Sequence, residues 1–442
     1  MSGIAVGWIG FAAMIGLILT GLPIAVAMSL VGFFGLVALI GFDGAMNSLA
    51  IVSSGEIANY NLSVIPLFVL MGLFAARSGL SRQLFDAAAG LVGHWRGGLV
   101  MATVGACALF GAICGSSLAT AATMSKVAVP EMRRRRYADS LALGSVAAGG
   151  TLGILIPPSV MLVIYALITE TPLIDLFAAA IVPGLMQAAM YVVAIGLLCQ
   201  ARPALGPAGP RRSWAEAAAA LRGAAPVVVI FAGVIGGLYA GVFTPTEGAA
   251  VGALLTFLYA LWAEGFRLDG LRAVCLETAG TVAMVFLIVM GATLFSFFLS
   301  FTGLPRQLAG DVQALGLSGL QIVFVVMVLY ILLGCVMDSL GMLLLTVPVL
   351  FPLIQGISGE LGMTPGEAAL WFGVFAVVVI EIGLVTPPIG LNVFVIKASV
   401  EGASLGAAFR GVVPFLLTDI LRIVLLILFP AITLWFPAWL AG

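Results

Sequence analysis

Apolar runs long enough to cross a bilayer as helices follow one another along almost the whole chain, with short polar connectors between them. In the first half they fall at about 4–19, 24–41, 61–76, 139–168 and 176–200; in the second at about 226–243, 248–263, 275–301, 369–398 and 412–436. At 1.5 Å of rise per residue, helices of this length match a hydrocarbon core roughly 30 Å thick. The pattern predicts an all-α polytopic membrane protein. Two of the runs are broken. The first contains Gly149-Gly150-Thr151-Leu152-Gly153-Ile154-Leu155-Ile156-Pro157-Pro158, and the second contains Glu381-Ile382-Gly383-Leu384-Val385-Thr386-Pro387-Pro388. Proline removes a backbone donor and clashes with the preceding turn, so each tandem proline leaves backbone groups unpaired at a depth without water.

The two breaks belong to a longer repetition. Gly79-Leu80-Ser81-Arg82-Gln83-Leu84 returns as Gly303-Leu304-Pro305-Arg306-Gln307-Leu308, Pro157-Pro158 as Pro387-Pro388, and Val182-Pro183 as Val413-Pro414, in one order. The natural join is the Pro- and Gly-interrupted, arginine-bearing stretch that follows Ala201. The expected organisation is a first repeat over 1–201, a cytoplasmic linker over 202–225, and a second repeat over 226–442.

Charge fixes the handedness of that repeat. Alternate connectors carry Arg77, Arg82, Arg96, Arg133 to Arg136, Arg202, Arg211, Arg212, Arg222, Arg267, Arg272, Lys397 and Arg410, fifteen in all, whereas the connectors between them hold only Arg306. Basic residues flanking membrane segments stay on the cytoplasmic side. The sides agree only if each half crosses an odd number of times, here five, which inverts the second half relative to the first and places both termini in the periplasm. Two apolar runs remain, 98–131 and 320–354, that enter and leave on one side. They read as re-entrant hairpins with arms of about 15 residues, reaching roughly 22 Å, so that their tips stop near the midplane. Two inverted repeats of five helices, each with a re-entrant hairpin and a broken helix, describe a secondary transporter with its site near the midplane.

Composition narrows the chemistry. With 62% hydrophobic and 8% charged residues, a net charge of -1 and a mean hydropathy of +1.24, no basic face exists for nucleic acid. Cys107, Cys114, Cys199, Cys275 and Cys335 lie in apolar runs without metal-ligand spacing and read as small hydrophobic filling. His94 reads as a connector histidine. Gly233, Gly237 and Gly241, spaced by four, read as a close helix-packing face.

Hairpin tips and breaks bring four non-helical segments to one depth. Hard cations such as sodium take oxygen ligands. The candidate sodium and substrate residues are therefore Gly111, Gly115, Ser116, Ser117 and Thr120 of the first tip; Gly150, Thr151, Gly153, Pro157 and Pro158 of the first break; Gly334, Asp338, Ser339 and Gly341 of the second tip; and Gly383, Thr386, Pro387, Pro388 and Asn392 of the second break. Sodium would meet backbone carbonyls near Ser116, Asp338, Gly153 and Thr386. Helix N-termini after the breaks would present amides to an anion. Asp338 is the only acid within either tip, and an ionised carboxylate at bilayer depth costs about 2.5 to 3.5 kcal/mol on insertion scales. It serves as a cation ligand or as the cap of its own turn. Asp419 and Arg422, three residues apart on the last span, are expected to pair, and Lys126 to reach toward the arginine-rich face.

Gly111 through Thr123, Val129-Pro130-Glu131-Met132 and Gly149 through Pro158 resemble the large permease (M) subunit of tripartite ATP-independent periplasmic (TRAP) transporters, and the likeness extends over essentially the whole chain. The resemblance implies a bacterial inner-membrane importer of an organic acid anion (a dicarboxylate, 2-oxo acid, sialic acid or sugar acid), driven by sodium ions without an organic cofactor. It implies a small membrane (Q-type) subunit and a periplasmic solute-binding (P-type) protein, both expected as separate polypeptides, besides the surrounding membrane lipids. It also implies an elevator-type transporter, in which hairpins and broken helices move as one domain against the remaining spans.

Other classes fit less well. A carrier of the same repeat that works without a binding protein shares the pattern, whereas an intramembrane enzyme would need paired acids, a His-Glu motif or a Ser-His couple. A channel would need a repeated filter ring. The orientation is directly testable: in a cysteine-free background, Arg211→Cys is expected to react with an impermeant thiol reagent from the cytoplasmic side only. Labelling from the periplasmic side would reverse the topology.

Overall fold

The structure is a computed structural model that describes residues 2–211, 213–265, 268–314, 316–335 and 337–441. Arg212 and Arg267 of the charge pattern and Val336 of the second tip lie outside the described residues. Among the described residues the regular elements are all helical. The first half consists of α1 (Gly3–Leu19), α2 (Ile24–Ala58), α3 (Val64–Arg77), α4 (Leu80–Val92), α5 (Gly98–Cys114), α6 (Ser117–Arg134), α7 (Asp139–Leu155), α8 (Val160–Thr169) and α9 (Leu173–Ala201). The second consists of α10 (Trp214–Tyr239), α11 (Pro245–Glu264), α12 (Leu268–Thr302), α13 (Leu304–Ala314), α14 (Gly319–Gly334), α15 (Ser339–Gly356), α16 (Pro365–Val385), α17 (Leu391–Ser399), α18 (Leu405–Leu428) and α19 (Ala431–Ala441). Nine of the described helices are long and apolar enough to cross a membrane, or ten if α7 and α8 count as one bent span. The chain is an all-α polytopic membrane protein.

Several boundaries differ from the sequence expectation. The 42–60 connector is largely helical: α2 continues to Ala58, and Gly41, at φ 80°, absorbs a kink that other residues would not tolerate. The linker is shorter than 202–225, because Ser213 and Glu216 form a capping box that starts α10 inside it. Its first part is strapped down by Gly97 N–H to Gly206 O at 2.9 Å and Ala138 N–H to Leu205 O at 3.0 Å. The last run is two helices, since Phe429 and Pro430 separate α18 from α19. Hairpin arms hold 16 to 18 residues, so they reach roughly 24 to 27 Å, longer than the expected 22 Å. Gly79 and Gly303, the first residues of the matching hexapeptides, both adopt positive φ (73° and 75°) and both open a helix, α4 and α13.

The core lies where the halves meet. Every residue from Leu141 to Leu155 in α7 and from Trp371 to Val385 in α16 is buried, and these two helices, which precede the breaks, pack on each other. Their neighbours correspond. Hairpin arms α5 and α6 flank α7 as α14 and α15 flank α16; α18 packs on α7 as α9 packs on α16; α8 packs on α15 as α17 packs on α6. Around this core the kinked α2 crosses the 35-residue α12 in the most extensive helix pair of the molecule.

Small residues permit these approaches. Gly144 of α7 meets Gly411 of α18, and a Cβ on Gly411 would overlap the Ser140 carbonyl oxygen. By contrast, the Gly233, Gly237 and Gly241 row does not pack on another helix: a Cβ at 233 or 241 would meet nothing within 4 Å, and at 237 it would meet only the Phe243 ring. Within this chain the row faces outward and makes no contact with another helix. Cys107, Cys114 and Cys199 are buried as expected, Cys335 is half-buried, and Cys275 is exposed.

Gly411→Ala is expected to lower the apparent unfolding temperature in detergent sharply, because overpacking against backbone costs about 1 to 3 kcal/mol or more. Gly223→Ala, on an open helix face, should leave it equal or slightly raised by helix propensity. Equal effects of the two would contradict the packing described.

Candidate functional site

The first tip is shaped by a left-handed glycine. Gly115, at φ 64°, ends α5 by donating its N–H to Gly111 O at 2.7 Å, and Ser116 then starts α6 by accepting from Ala119 N–H at 3.3 Å. The second tip repeats the device with an acid. Asp338 caps α15, its Oδ2 accepting from Gly341 N–H at 3.1 Å. Of the two roles open to Asp338 from the sequence, the cap is the one visible in its contacts. Its position on the cavity described below leaves the carboxylate accessible for a second role.

Each tip rests on the break of its own half. A Cβ on Gly111 would overlap Gly153 Cα, and a Cβ on Gly383 would collide with the backbone of Gly334. Gly153 also lies against Thr120 and the Ser116 carbonyl oxygen, and Gly150 against Ala121 and Ser117. Pro157-Pro158 and Pro387-Pro388 are both cis peptides. After them Ser159 caps α8 and Gly390, at φ 62°, precedes α17. The two breaks differ in exposure: Pro157 and Pro158 are buried, Pro387 and Pro388 exposed.

A side chain of the second half reaches the first break. Asn392 of α17 donates from Nδ2 to Ser117 Oγ at 2.7 Å and to the Ala147 carbonyl at 3.1 Å. Its Oδ1 is buried without a partner, and Thr120 Oγ1 is likewise buried with only the weakly donating Cys114 thiol beside it. Two orphaned hard oxygen acceptors beside a broken helix, among the Ser116 and Ala147 carbonyls, suit a desolvated sodium ion. Thr386 has spent its hydroxyl proton on Ile382 O at 2.6 Å, which leaves an oxygen lone pair at the second break.

The tips share one cavity of about 590 Å³. It gathers Gly115, Ser116, Ser117, Asp338 and Ser339 of the candidate residues, with Ile154 and Val160 flanking the first break and Pro23, Glu277, Thr281 and Met284 forming the opposite wall. Gly111, Thr120, Gly150, Thr151 and Gly153 stand behind its first tip. Gly334 of the second tip and Gly383, Thr386, Pro387 and Pro388 of the second break do not line it, and Gly341 sits against Ile24. Glu277 escaped sequence reasoning because it begins a run whose apolar residues give it no distinct signal; it pairs with Arg77 at 3.0 Å. A second cavity of about 330 Å³ lies between α8 and α15 on one side and α2 and α12 on the other, where Glu56 accepts from Thr293 at 2.8 Å.

Lys126 is exposed and shares a surface pocket with Arg82, Asp86, Glu131 and Arg134. Asp419 and Arg422 do pair, at 3.5 Å, but within a wider buried group. Tyr191 donates to Asp419 Oδ2 at 2.7 Å, and Gln187 contacts Asp419, Thr151 and Arg422. Sequence reasoning missed Gln187, Tyr191 and Glu381, although Glu381, an acid in an apolar run six residues before a tandem proline, was a visible signal.

Residues 11–432 match the family described as tripartite ATP-independent periplasmic transporter, DctM component. The C4-dicarboxylate TRAP transporter large permease protein of Pseudomonas aeruginosa is 38% identical over 397 residues, 90% of each chain. The sialic acid TRAP transporter large permease protein of Vibrio cholerae is 32% identical over 443 residues, covering 100% of this chain and 99% of its own length. Among solved structures, the Alcanivorax borkumensis YdaH transporter, described as having an unusual topology, shares the fold with a TM-score of 0.63 at 17% identity, over 90% of this chain and 91% of that one. By family match and relatives together, the chain belongs to the large permease subunits of the tripartite ATP-independent periplasmic transporters.

Proposed function

We propose that this permease imports an organic acid anion, delivered by a periplasmic solute-binding protein, down a sodium gradient. The observation that carries the reading is the meeting of both hairpin tips on one cavity beside a break whose buried acceptors, Thr120 Oγ1 and Asn392 Oδ1, lack partners. Sodium, as co-substrate, would sit between the first tip and the first break. It would complete the coordination of oxygens that otherwise remain unsatisfied at a cost of about 1 to 3 kcal/mol each. The anion would then lie in the cavity, facing the amide ends of α6 and α15 at Ser116 and Asp338. No lysine or arginine lines that cavity, so a bound cation is what makes it hospitable to a carboxylate.

The corresponding neighbour relations of the two halves support the inverted-repeat reading and the 1–201 and 226–442 division. In it, α5 to α8 and α14 to α17 form one moving body, and α2 crossing α12 belongs to the stationary frame. Re-entrant hairpins fit arms shorter than the roughly 30 Å core. The cavities on the two flanks of the tips would then be the two ends of the cargo's path. The small Q-type subunit would pack on the frame, and the inner membrane, with both termini periplasmic, is the setting the charge pattern supports. Dicarboxylates and sialic acid are the cargo classes proposed on the names of the relatives, and sugar acids on the family resemblance.

Reconstituted with the small subunit and the binding protein, Asn392→Ala and Thr120→Val should each raise the sodium concentration for half-maximal uptake about tenfold, equivalent to 1.4 kcal/mol of lost binding. Asp338→Asn and Ser116→Ala should weaken sodium activation while leaving docking of the binding protein intact. Unchanged sodium activation in all four would remove sodium from this place. Strong uptake by the chain alone would contradict the dependence on a binding protein.

A further inference from the structure

The second broken helix carries an acid that the site above does not use. Glu381 stands six residues before Pro387, where α7 places Thr151 six residues before Pro157. It is 1% exposed, and neither of its carboxylate oxygens has a hydrogen-bond partner. The Thr151 hydroxyl is close, but its proton is given to the Ala148 carbonyl at 2.6 Å. Asp419 and Arg422 of α18 are the charged groups facing Glu381, and Tyr191 of α9 is the remaining titratable one. On the other helices packed against α16 the titratable groups are remote. Tyr165 of α8 and Tyr330 of α14 contact Phe372, roughly 13 Å further along the helix axis; Lys397 of α17 is turned to the Ala403 carbonyl; Asp139 of α7 pairs with Arg133 at the far end, and Asp175 lies in the first turn of α9. Neither α15 nor α19 contains a titratable side chain.

Two carboxylates therefore share one guanidinium in a region closed to solvent. Asp419 takes all the support available: the Tyr191 hydroxyl at 2.7 Å, Gln187 Nε2 at 3.3 Å and Arg422 Nη2 at 3.5 Å. Arg422 donates from Nη1 to Gln187, and its Nε and Nη2 form no hydrogen bond to Glu381. With both acids ionised, the pocket would hold an uncompensated negative charge, and in this conformation no donor is hydrogen-bonded to Glu381. We propose that the Glu381, Asp419 and Arg422 cluster is a proton-binding site that holds one proton, resident on Glu381 in this conformation. Uptake forms the O–H bond of a neutral carboxyl from a solvent proton. Release returns that proton to water and leaves a carboxylate, which Arg422 would receive through Nε, now without a hydrogen-bond partner, and Nη2, now 3.5 Å from Asp419. Because those partners sit on α9 and α18, release would change the packing of both helices against α16, beside the second break.

The test uses the full-length chain in nanodiscs. Infrared spectra at neutral pH should show the carbonyl stretch of a buried protonated carboxyl that shifts on carbon-13 glutamate labelling of the wild-type chain and disappears in Glu381→Gln. Since glutamine mimics the neutral acid, Glu381→Gln should unfold at the wild-type temperature, and Glu381→Ala below it. Absence of a label-sensitive carboxyl band in the wild type would overturn the proposal. So would destabilisation by Gln as large as by Ala, since an ionised Glu381 engaging Arg422 would be lost equally in both.

Discussion

Backbone amides and carbonyls cannot be left unpaired in lipid, and this constraint governs the fold. A helix interrupted by two prolines survives only if other protein surrounds the interruption. Here α7 and α16, the helices that run into the breaks, are the most enclosed elements of the chain, each clasped by a hairpin of its own half and a long helix of the other. The clasp requires glycine where hairpin meets break, at Gly111 with Gly153 and at Gly334 with Gly383. Close backbone approach buries both helices up to their breaks and leaves Thr120 Oγ1 and Asn392 Oδ1 without hydrogen-bond partners at the first.

The two halves solve this problem alike but not identically. Ser116 caps one hairpin and Asp338 the other; Thr151 stands on one broken helix where Glu381 stands on the second. The first break is buried and the second exposed, and Asn392 reaches from the second into the first. Such differences divide labour within a repeat. The first break is furnished with neutral oxygens suited to a cation, whereas the acids gather at the second tip and behind the second break.

Most of the helical order was legible because hydrophobic length and proline placement are local properties. The helix breaks followed from Pro157-Pro158 and Pro387-Pro388, and the helix pairs α5–α6 and α14–α15 from two apolar runs that the charge pattern left without a crossing. The kink at Gly41 was hidden because a kinked helix and a helix followed by a polar connector share one hydropathy pattern. The split at Pro430 was lost inside a continuous apolar run. Site residues on the tips were legible through glycine and hydroxyl enrichment. The cluster around Glu381 was not, since Gln187, Tyr191 and Arg422 lie on helices distant in sequence, and only packing shows that they share a pocket.

The central claim is that the first hairpin tip and the first break together hold the coupling ion beside the cargo cavity. It is tested most directly by an experimental map of the assembled transporter prepared in sodium and compared with one prepared in choline. The account predicts a sodium-dependent peak enclosed by Ser116, Thr120, Gly153 and Asn392. A map pair identical at that place, or a sodium-dependent peak remote from both tips, would contradict it.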